Sequence, residues 1–269
     1  MKKTVLITGS TDGIGKQTAY DMALADYQII IHGRSNEKVN QTINEIKETK
    51  NDASVEGFVS DFESLKNVSQ FAEKLKEKYD KLDILINNAG VALKEKELTE
   101  DGYEKTFQIN YLSHFLLTNL ILDLLKKSEK GKIVNVTSMV HSTAIDFDNL
   151  QGEQAFEGSE AYSLSKLCEI LFTYKLASSL KEDQTTVNCL HPGVINTKLL
   201  KNHWGGIGGS VKEGAENLLY VATYEGIDQV TGKYFVNKMP QSSATVTYET
   251  NKQDKLWEIS KKMVEAYLK

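Results

Sequence analysis

Residues 4–25 constrain this chain more than any other stretch. Val5-Leu6-Ile7 is a short aliphatic run of the kind found in a strand buried on both faces. Thr8-Gly9-Ser10-Thr11-Asp12-Gly13-Ile14-Gly15 follows, and then Lys16 to Leu24, with Ile14, Ala19, Met22 and Ala23 at helical spacing. The order is strand, glycine turn, helix. A helix start offers unpaired N–H groups and a partial positive charge, and glycines let the backbone turn tightly and come close to a pyrophosphate. The spacing is G-x-x-x-G-x-G rather than the familiar G-x-G-x-x-G. An ordinary strand-to-helix turn therefore stays open beside a dinucleotide cradle.

Further along, strand-like runs alternate with helical ones. Strands are expected at 4–8, 27–32, 54–59, 83–87, 131–137, 185–190 and 232–236. Helices are expected at 14–25, 36–50, 63–79, 99–126, 160–181, 212–224 and 253–267. This alternation implies an α/β fold, a doubly wound Rossmann-type parallel sheet of seven strands flanked by helices. With 269 residues and no linker or repeat, one domain over 1–269 is expected. A net charge of −5 argues against nucleic acid as a partner. The two cysteines, Cys168 and Cys189, lie in apolar runs and read as reduced core residues. Met1-Lys2-Lys3 precedes an apolar run too short for a signal peptide, and no run is long enough to span a membrane. A cytoplasmic protein without a membrane partner or a metal is expected. Residues 192–211, with Trp204-Gly205-Gly206-Ile207-Gly208-Gly209, read either as a mobile flap or as a plain surface loop.

The second strand bears on the choice of dinucleotide. Ile29-Ile30-Ile31-His32-Gly33-Arg34 ends in an arginine, and no acid occurs between Ile29 and Ser35. An acid there would grip the ribose 2′-hydroxyl of NAD, whereas an arginine suits the 2′-phosphate of NADP. NADP(H) is thus expected rather than NAD(H), with Arg34 as ligand; a solvated strand-end arginine is the alternative. Asp61, before Phe62, either reaches the adenine or caps the next helix. Asn87-Asn88-Ala89-Gly90 either lets the cofactor pass close to a strand end or is simply a turn.

Tyr162 and Lys166 stand at i and i+4 on an expected helix, so they share a face. A free tyrosine, with a pKa of about 10, is a poor base near neutrality. A neighbouring ammonium favours its phenolate, which makes Tyr162 a candidate acid or base for a substrate oxygen. By itself Y-x-x-x-K is frequent by chance, and the pair taken alone reads first as a surface pair. Ser138 ends the buried run Ile133–Thr137, either stabilising a developing oxyanion or capping the next segment. Asn110 sits among Phe107, Ile109, Tyr111 and Leu112, where a buried amide needs hydrogen-bond partners; a water relaying protons to Lys166 would supply them.

Taken together these pieces resemble the short-chain dehydrogenase/reductase family. The matching elements are T-G-x-x-x-G-I-G at 8–15, Asp61, N-N-A-G at 87–90, Asn110, Ser138, Y-x-x-x-K at 162–166, and Pro192-Gly193 followed by Thr197. They fall in family order over nearly the whole chain. TGSTDGIGKQTA, NYLSHFLLTN, IVNVTS, AYSLSK, LHPGV and LWEIS resemble the retinol dehydrogenase-like and WW-domain oxidoreductase-like branch. The resemblance implies a catalytic set of Ser138, Tyr162 and Lys166 completed by Asn110. It implies a cofactor groove formed by Thr8, Gly9, Ser10, Thr11, Asp12, Gly13, Ile14, Gly15, Arg34, Asp61, Phe62, Asn88, Ala89, Gly90, Tyr162, Lys166, Pro192, Gly193 and Val194. Thr197 would hold the carboxamide. It also implies an insert at about Ala144 to Glu160. Thr137 departs mildly, standing where many relatives have serine. Vertebrate retinol enzymes often carry an N-terminal membrane anchor; none is read in this sequence, so a soluble carbonyl reductase is expected rather than a retinoid enzyme.

The expected activity is hydride transfer between NADP(H) and a carbonyl or alcohol, in a pocket walled by 192–211 and 139–160. A non-catalytic NADP(H) sensor and a carbon–carbon double-bond reductase are the alternatives. Helices 99–126 and 160–181 carry more apolar surface than one sheet can cover. The surplus points to a homodimer or homotetramer, or to cover by the chain's own tail.

Overall fold

The computed structural model describes residues 2–181 and 183–268, and of Asn202 the backbone alone. Its strands are β1 (Thr4–Ile7), β2 (Gln28–Gly33), β3 (Val55–Val59), β4 (Ile84–Asn87), β5 (Lys132–Val136), β6 (Thr186–His191), β7 (Tyr234–Val236) and β8 (Met239–Gln241). They form one sheet in the order β3-β2-β1-β4-β5-β6-β7-β8. The first seven are parallel, as expected. The eighth is a correction to the seven-strand reading: β8 pairs antiparallel with β7. Asn237 and Lys238, both at positive φ, make the two-residue turn that joins them. The β8 residues are exposed and centre on Pro240, which fits an edge strand and carries no apolar signal.

The helices are α1 (Gly13–Leu24), α2 (Asn36–Thr49), α3 (Leu65–Lys78), α4 (Lys105–Phe107), α5 (Ser113–Lys126), α6 (Gly158–Ser179), α7 (Lys198–Trp204), α8 (Val211–Thr223) and α9 (Thr250–Val264), with a π segment at Gln108–Leu112. The expected helix 99–126 begins late. Gly102 turns at φ 83°, Glu104 caps α4 by accepting the Thr106 and Phe107 N–H groups, and Leu98 bridges Glu104. Residues 192–211 contain the helix α7, which corrects the expectation of a flap or plain surface loop. Thr197 accepts the Leu200 N–H at its start, and Gly205, left-handed at φ 63°, closes its end.

Alternation along each strand sorts the apolar side chains into two cores. Leu6, Ile30, Leu85, Ile133 and Val187 face α3, α5, α6 and α9. Val5, Ile7, Ile29, Ile31, Ile84, Ile86 and Val134 face α1, α2 and α8. Burial on both faces explains why these strands read as unbroken apolar runs. Each fully buried Leu or Ile contributes roughly 1.5–3 kcal/mol. The surplus apolar surface of α5 and α6 is covered within the chain. Trp257 of α9 packs edge-on to Phe115 at 5.0 Å and stacks on Phe172 at 5.9 Å, and the Tyr111 hydroxyl meets Ser260 Oγ at 2.7 Å.

Candidate active site

The sheet order reverses between β1 and β4, so the loops leaving their carboxyl ends diverge and open a crevice. Thr8 stitches the two loops together. Its Oγ1 accepts the N–H of Asn88 at 2.8 Å and of Ala89 at 3.0 Å. The Asn88 amide donates back to the carbonyls of Thr8 at 2.9 Å and Gly9 at 3.2 Å. Gly9 turns at φ 64°, where a Cβ would meet Ala89 Cα at 2.8 Å, and a Cβ on Gly15 would meet the Asn88 amide at 2.4 Å. Thr8 and Ser10 therefore do not line the cavity: both are fully buried, with Ser10 Oγ donating to the Ile7 carbonyl at 2.8 Å. They shape the glycine loop from beneath.

Above the loop lies a cavity of about 1210 Å³. This exceeds the range of roughly 300–1,000 Å³ typical of single-ligand pockets and leaves room for two ligands. Gly9, Thr11, Asp12, Gly13, Ile14 and Gly15 line one end, at the start of α1. Arg34, Asp61 and Phe62 join them from the ends of β2 and β3. Arg34 is exposed and pairs with Glu63 at 3.3 Å. Asp61 accepts the Glu63 N–H at 3.1 Å, so it caps this turn while reaching the cavity; Ser64, not Asp61, caps α3. Lys38, near the start of α2, also lines this end as a second cation. His32 lies buried near the end of β2. It accepts the Gly9 N–H at 3.1 Å, and burial pushes it down to about 3, which keeps it neutral.

Asn88, Ala89, Gly90, Pro192, Gly193, Val194 and Thr197 line the middle of the cavity. The Thr197 hydroxyl is already engaged as the α7 cap. At the far end the cavity reaches Ser138, Tyr162 and Lys166 together. Ser138 Oγ accepts the Val140 N–H at 3.2 Å, which leaves its hydroxyl proton available to donate. The Tyr162 ring lies edge-on to Trp204 of α7 at 5.0 Å, and Lys166 Nζ is 5.8 Å from its centre. Burial opposes the Lys166 ammonium; the charges of Glu169 and Tyr162 outweigh it and hold Lys166 above the ordinary lysine range.

Asn110 falls in the π segment, fully buried. Its amide exchanges bonds with the Val91 backbone at 2.8 and 2.9 Å and donates to Ser165 Oγ at 3.0 Å. The amide braces the turn after Gly90. A Cβ on Gly90 would lie 3.4 Å from Asn110 Oδ1 and 3.8 Å from Lys166 Nζ, so both groups border the same small space.

The walls are only partly those expected. Residues 192–200, Lys201 and Trp204 line the cavity, but of 139–160 only Met139 and Val140 reach it, and nothing from the insert at 144–160 does. Residues 144–157 instead border a separate depression near Glu104 and the start of α6. Sequence reasoning also passed over His114 and Glu169, which lie against Lys166. The available signal was helical spacing, i+4 from Asn110 and i+3 from Lys166.

A family model described as short chain dehydrogenase matches residues 3–206. Human retinol dehydrogenase 13 is 38% identical over 97% of this chain and 84% of that protein, and human polyprenol dehydrogenase is 36% identical over the same shares. A short chain dehydrogenase from Shigella flexneri 2a strain 301, solved in complex with NADP, superposes with a TM-score of 0.70 at 26% identity, covering 87% of this chain and 95% of that one. Among the described residues no helix is long and apolar enough to cross a membrane. The glycine loop, the crevice and this likeness over nearly the full chain agree: the protein is an oxidoreductase of the short chain dehydrogenase family, in its retinol dehydrogenase-like branch.

Proposed function

We propose that the protein interconverts an apolar aldehyde or ketone and its alcohol, using NADP(H), with Tyr162 moving the proton. The observation that carries this reading is the meeting of Ser138, Tyr162 and Lys166 on the same cavity as the glycine loop. The cradle suits a dinucleotide. Gly9 and Gly15 let the glycine loop pack directly against Ala89 and Asn88, which fixes the cradle, and α1 presents its N–H groups to a pyrophosphate. Arg34 and Lys38 suit a 2′-phosphate, and the NADP complex of the Shigella relative supports that choice. When bound, the nicotinamide supplies or accepts the hydride.

The remaining work falls to side chains. Ser138 donates to the substrate oxygen and stabilises the charge that develops there. Tyr162 gives its proton to that oxygen in reduction and removes one in oxidation. Lys166 holds the ribose hydroxyls and stabilises the phenolate. Thr197 orients the carboxamide. Leu93, Met139, Val140, Leu199 and Trp204 make the substrate end apolar. Two relatives are named for retinol and polyprenol, both apolar alcohols, which supports that class.

The test is NADPH oxidation by purified protein across aliphatic aldehydes, diketones, aromatic ketones, steroids and retinal. Tyr162→Phe should lower turnover by about 10²–10⁴-fold with NADPH affinity little changed. Full turnover in that variant would remove Tyr162 from the chemistry.

A further inference from the structure

At the cavity wall three ionisable side chains meet almost wholly buried. Lys166, Glu169 and His114 are 4%, 1% and 1% exposed. Lys166 Nζ donates to Glu169 Oε2 at 2.8 Å and to the Val136 carbonyl at 2.9 Å. Glu169 Oε1 lies 3.1 Å from His114 Nδ1, which is also 3.0 Å from the Asn110 carbonyl. Both partners are acceptors, so Nδ1 carries the proton. His114 Nε2 lies 3.1 Å from Thr8 Oγ1. That oxygen already accepts two N–H groups, so its own proton goes to Nε2, nearer than the Ile86 carbonyl at 3.4 Å. This pattern is a neutral His114 and an ionised Glu169 paired with the Lys166 ammonium. Hydrogen bonds then run unbroken from Lys166 to the glycine loop.

A buried ion pair is not in itself a stabilising device, since apolar replacements are often as stable or more so. Its place against the proton-moving pair suggests another use. We propose that Glu169, steadied by His114, is a positioning residue that offsets the Lys166 ammonium and holds the Tyr162 phenol protonated to higher pH, extending the range over which carbonyl reduction runs fast. The proposal rests on the reading of Tyr162 as proton donor.

The physical argument concerns charge. Losing a proton from the Tyr162–Lys166 pair adds negative charge beside an existing carboxylate, which disfavours the loss. This holds whichever of the two groups keeps the remaining proton. The overall equilibrium belongs to the reactants; the carboxylate sets the pH range in which reduction runs fast. Other titratable groups face this cluster from every side. Cys168 on α6, Cys189 on β6 and Tyr111 in the π segment are all pushed above their ordinary ranges by burial. His32 and His191, at the ends of β2 and β6, are pushed down by burial to about 3 and about 4. From α7, Lys201 lines the cavity and His203 packs on Trp204. All of these are common to wild type and variants, so a comparison of the two isolates Glu169.

The experiment compares wild type, Glu169→Gln and Glu169→Asp. One readout is ultraviolet titration of the phenolate, each protein measured against its own Tyr162→Phe counterpart. The other is the pH profile of kcat/KM for carbonyl reduction. Glu169→Gln should move both the phenolate signal and the alkaline fall in rate to lower pH by about one unit. Glu169→Asp, which keeps the charge, should stay within a few tenths of a unit of wild type even if slower. A Gln variant that is slower but unshifted, or an Asp variant shifted as far as Gln, overturns the proposal. Wild type alone supplies a further arm: its reduction rate should hold from about pH 6 to 9, and a fall starting at neutrality counts against Glu169. If no carbonyl is reduced, the titration still decides this inference, and only the proposed reaction fails.

Discussion

The two ends of the cavity are built on opposite plans. The glycine-loop end is braced from below by buried polar side chains: Thr8 across to Asn88 and Ala89, His32 to the Gly9 N–H, and Ser10 to the Ile7 carbonyl. The substrate end is bounded by α7 and by Met139 and Val140, both more than half exposed. Trp204, which covers Tyr162, is itself 40% exposed. One end holds a fixed shape for a ligand common to a whole family. The other depends on a short capped helix that can vary without disturbing the sheet. Specificity for the dinucleotide should therefore be costly to change, and specificity for the substrate cheap.

The largest expected effect breaks the braced end. Gly9→Val places a branched side chain at positive φ and against Ala89, and should destabilise the fold by about 2–4 kcal/mol. NADPH affinity should fall at least about tenfold with it, read by thermal melting and by nucleotide fluorescence. An unchanged melting temperature would show that the loop yields after all. Arg34→Asp comes next. It should weaken NADPH by roughly 10–100-fold and NADH much less, on the scale of a lost charge-assisted hydrogen bond. Equal losses for both nucleotides would take Arg34 out of phosphate recognition.

The open end should respond more gently. Trp204→Ala should raise KM for apolar carbonyls by about tenfold, the weight of one lost aromatic contact, and leave NADPH affinity alone. An unchanged KM across the panel would place the substrate elsewhere. The smallest effect should come where the two ends touch. Lys198 at the start of α7 pairs with Asp12, the cap of α1, in an exposed ion pair. Such pairs contribute about 0–1 kcal/mol, so Lys198→Ala should change nucleotide affinity no more than about fivefold, and less at high salt. A larger, salt-resistant loss would make this contact part of the braced end.

Legibility followed the same division. Strands β1, β2, β4, β5 and β6 are buried on both faces, and their apolar runs could be read directly. Strand β8 escaped notice because it is exposed, three residues long and held only by a hairpin. The helix α7 escaped because its cap residues, Thr197 and Gly205, sit in a glycine-rich stretch that reads as loop. Ser138, Tyr162 and Lys166 were visible as residue types on elements that end at the crevice. The resemblance grouped them; that Ser138, just past β5, and the α6 pair open on the same cavity as the distant glycine loop was decided by the fold.

What the residues alone determined is the doubly wound sheet, the strand–glycine–helix turn and the family, because these rest on local periodicity and on spacings within a few residues. Tertiary structure alone decided that Thr8 and Ser10 brace the loop rather than line it. It also decided that α9 covers the surplus apolar face, and that the insert at 144–160 turns away from the cavity. The link from Lys166 through Glu169 and His114 to Thr8 belongs to the same group. Each member looks ordinary in its own helix or loop. The coupling exists only because packing brings α5, α6 and the β1 loop within hydrogen-bond reach and excludes water, where charges must find one another.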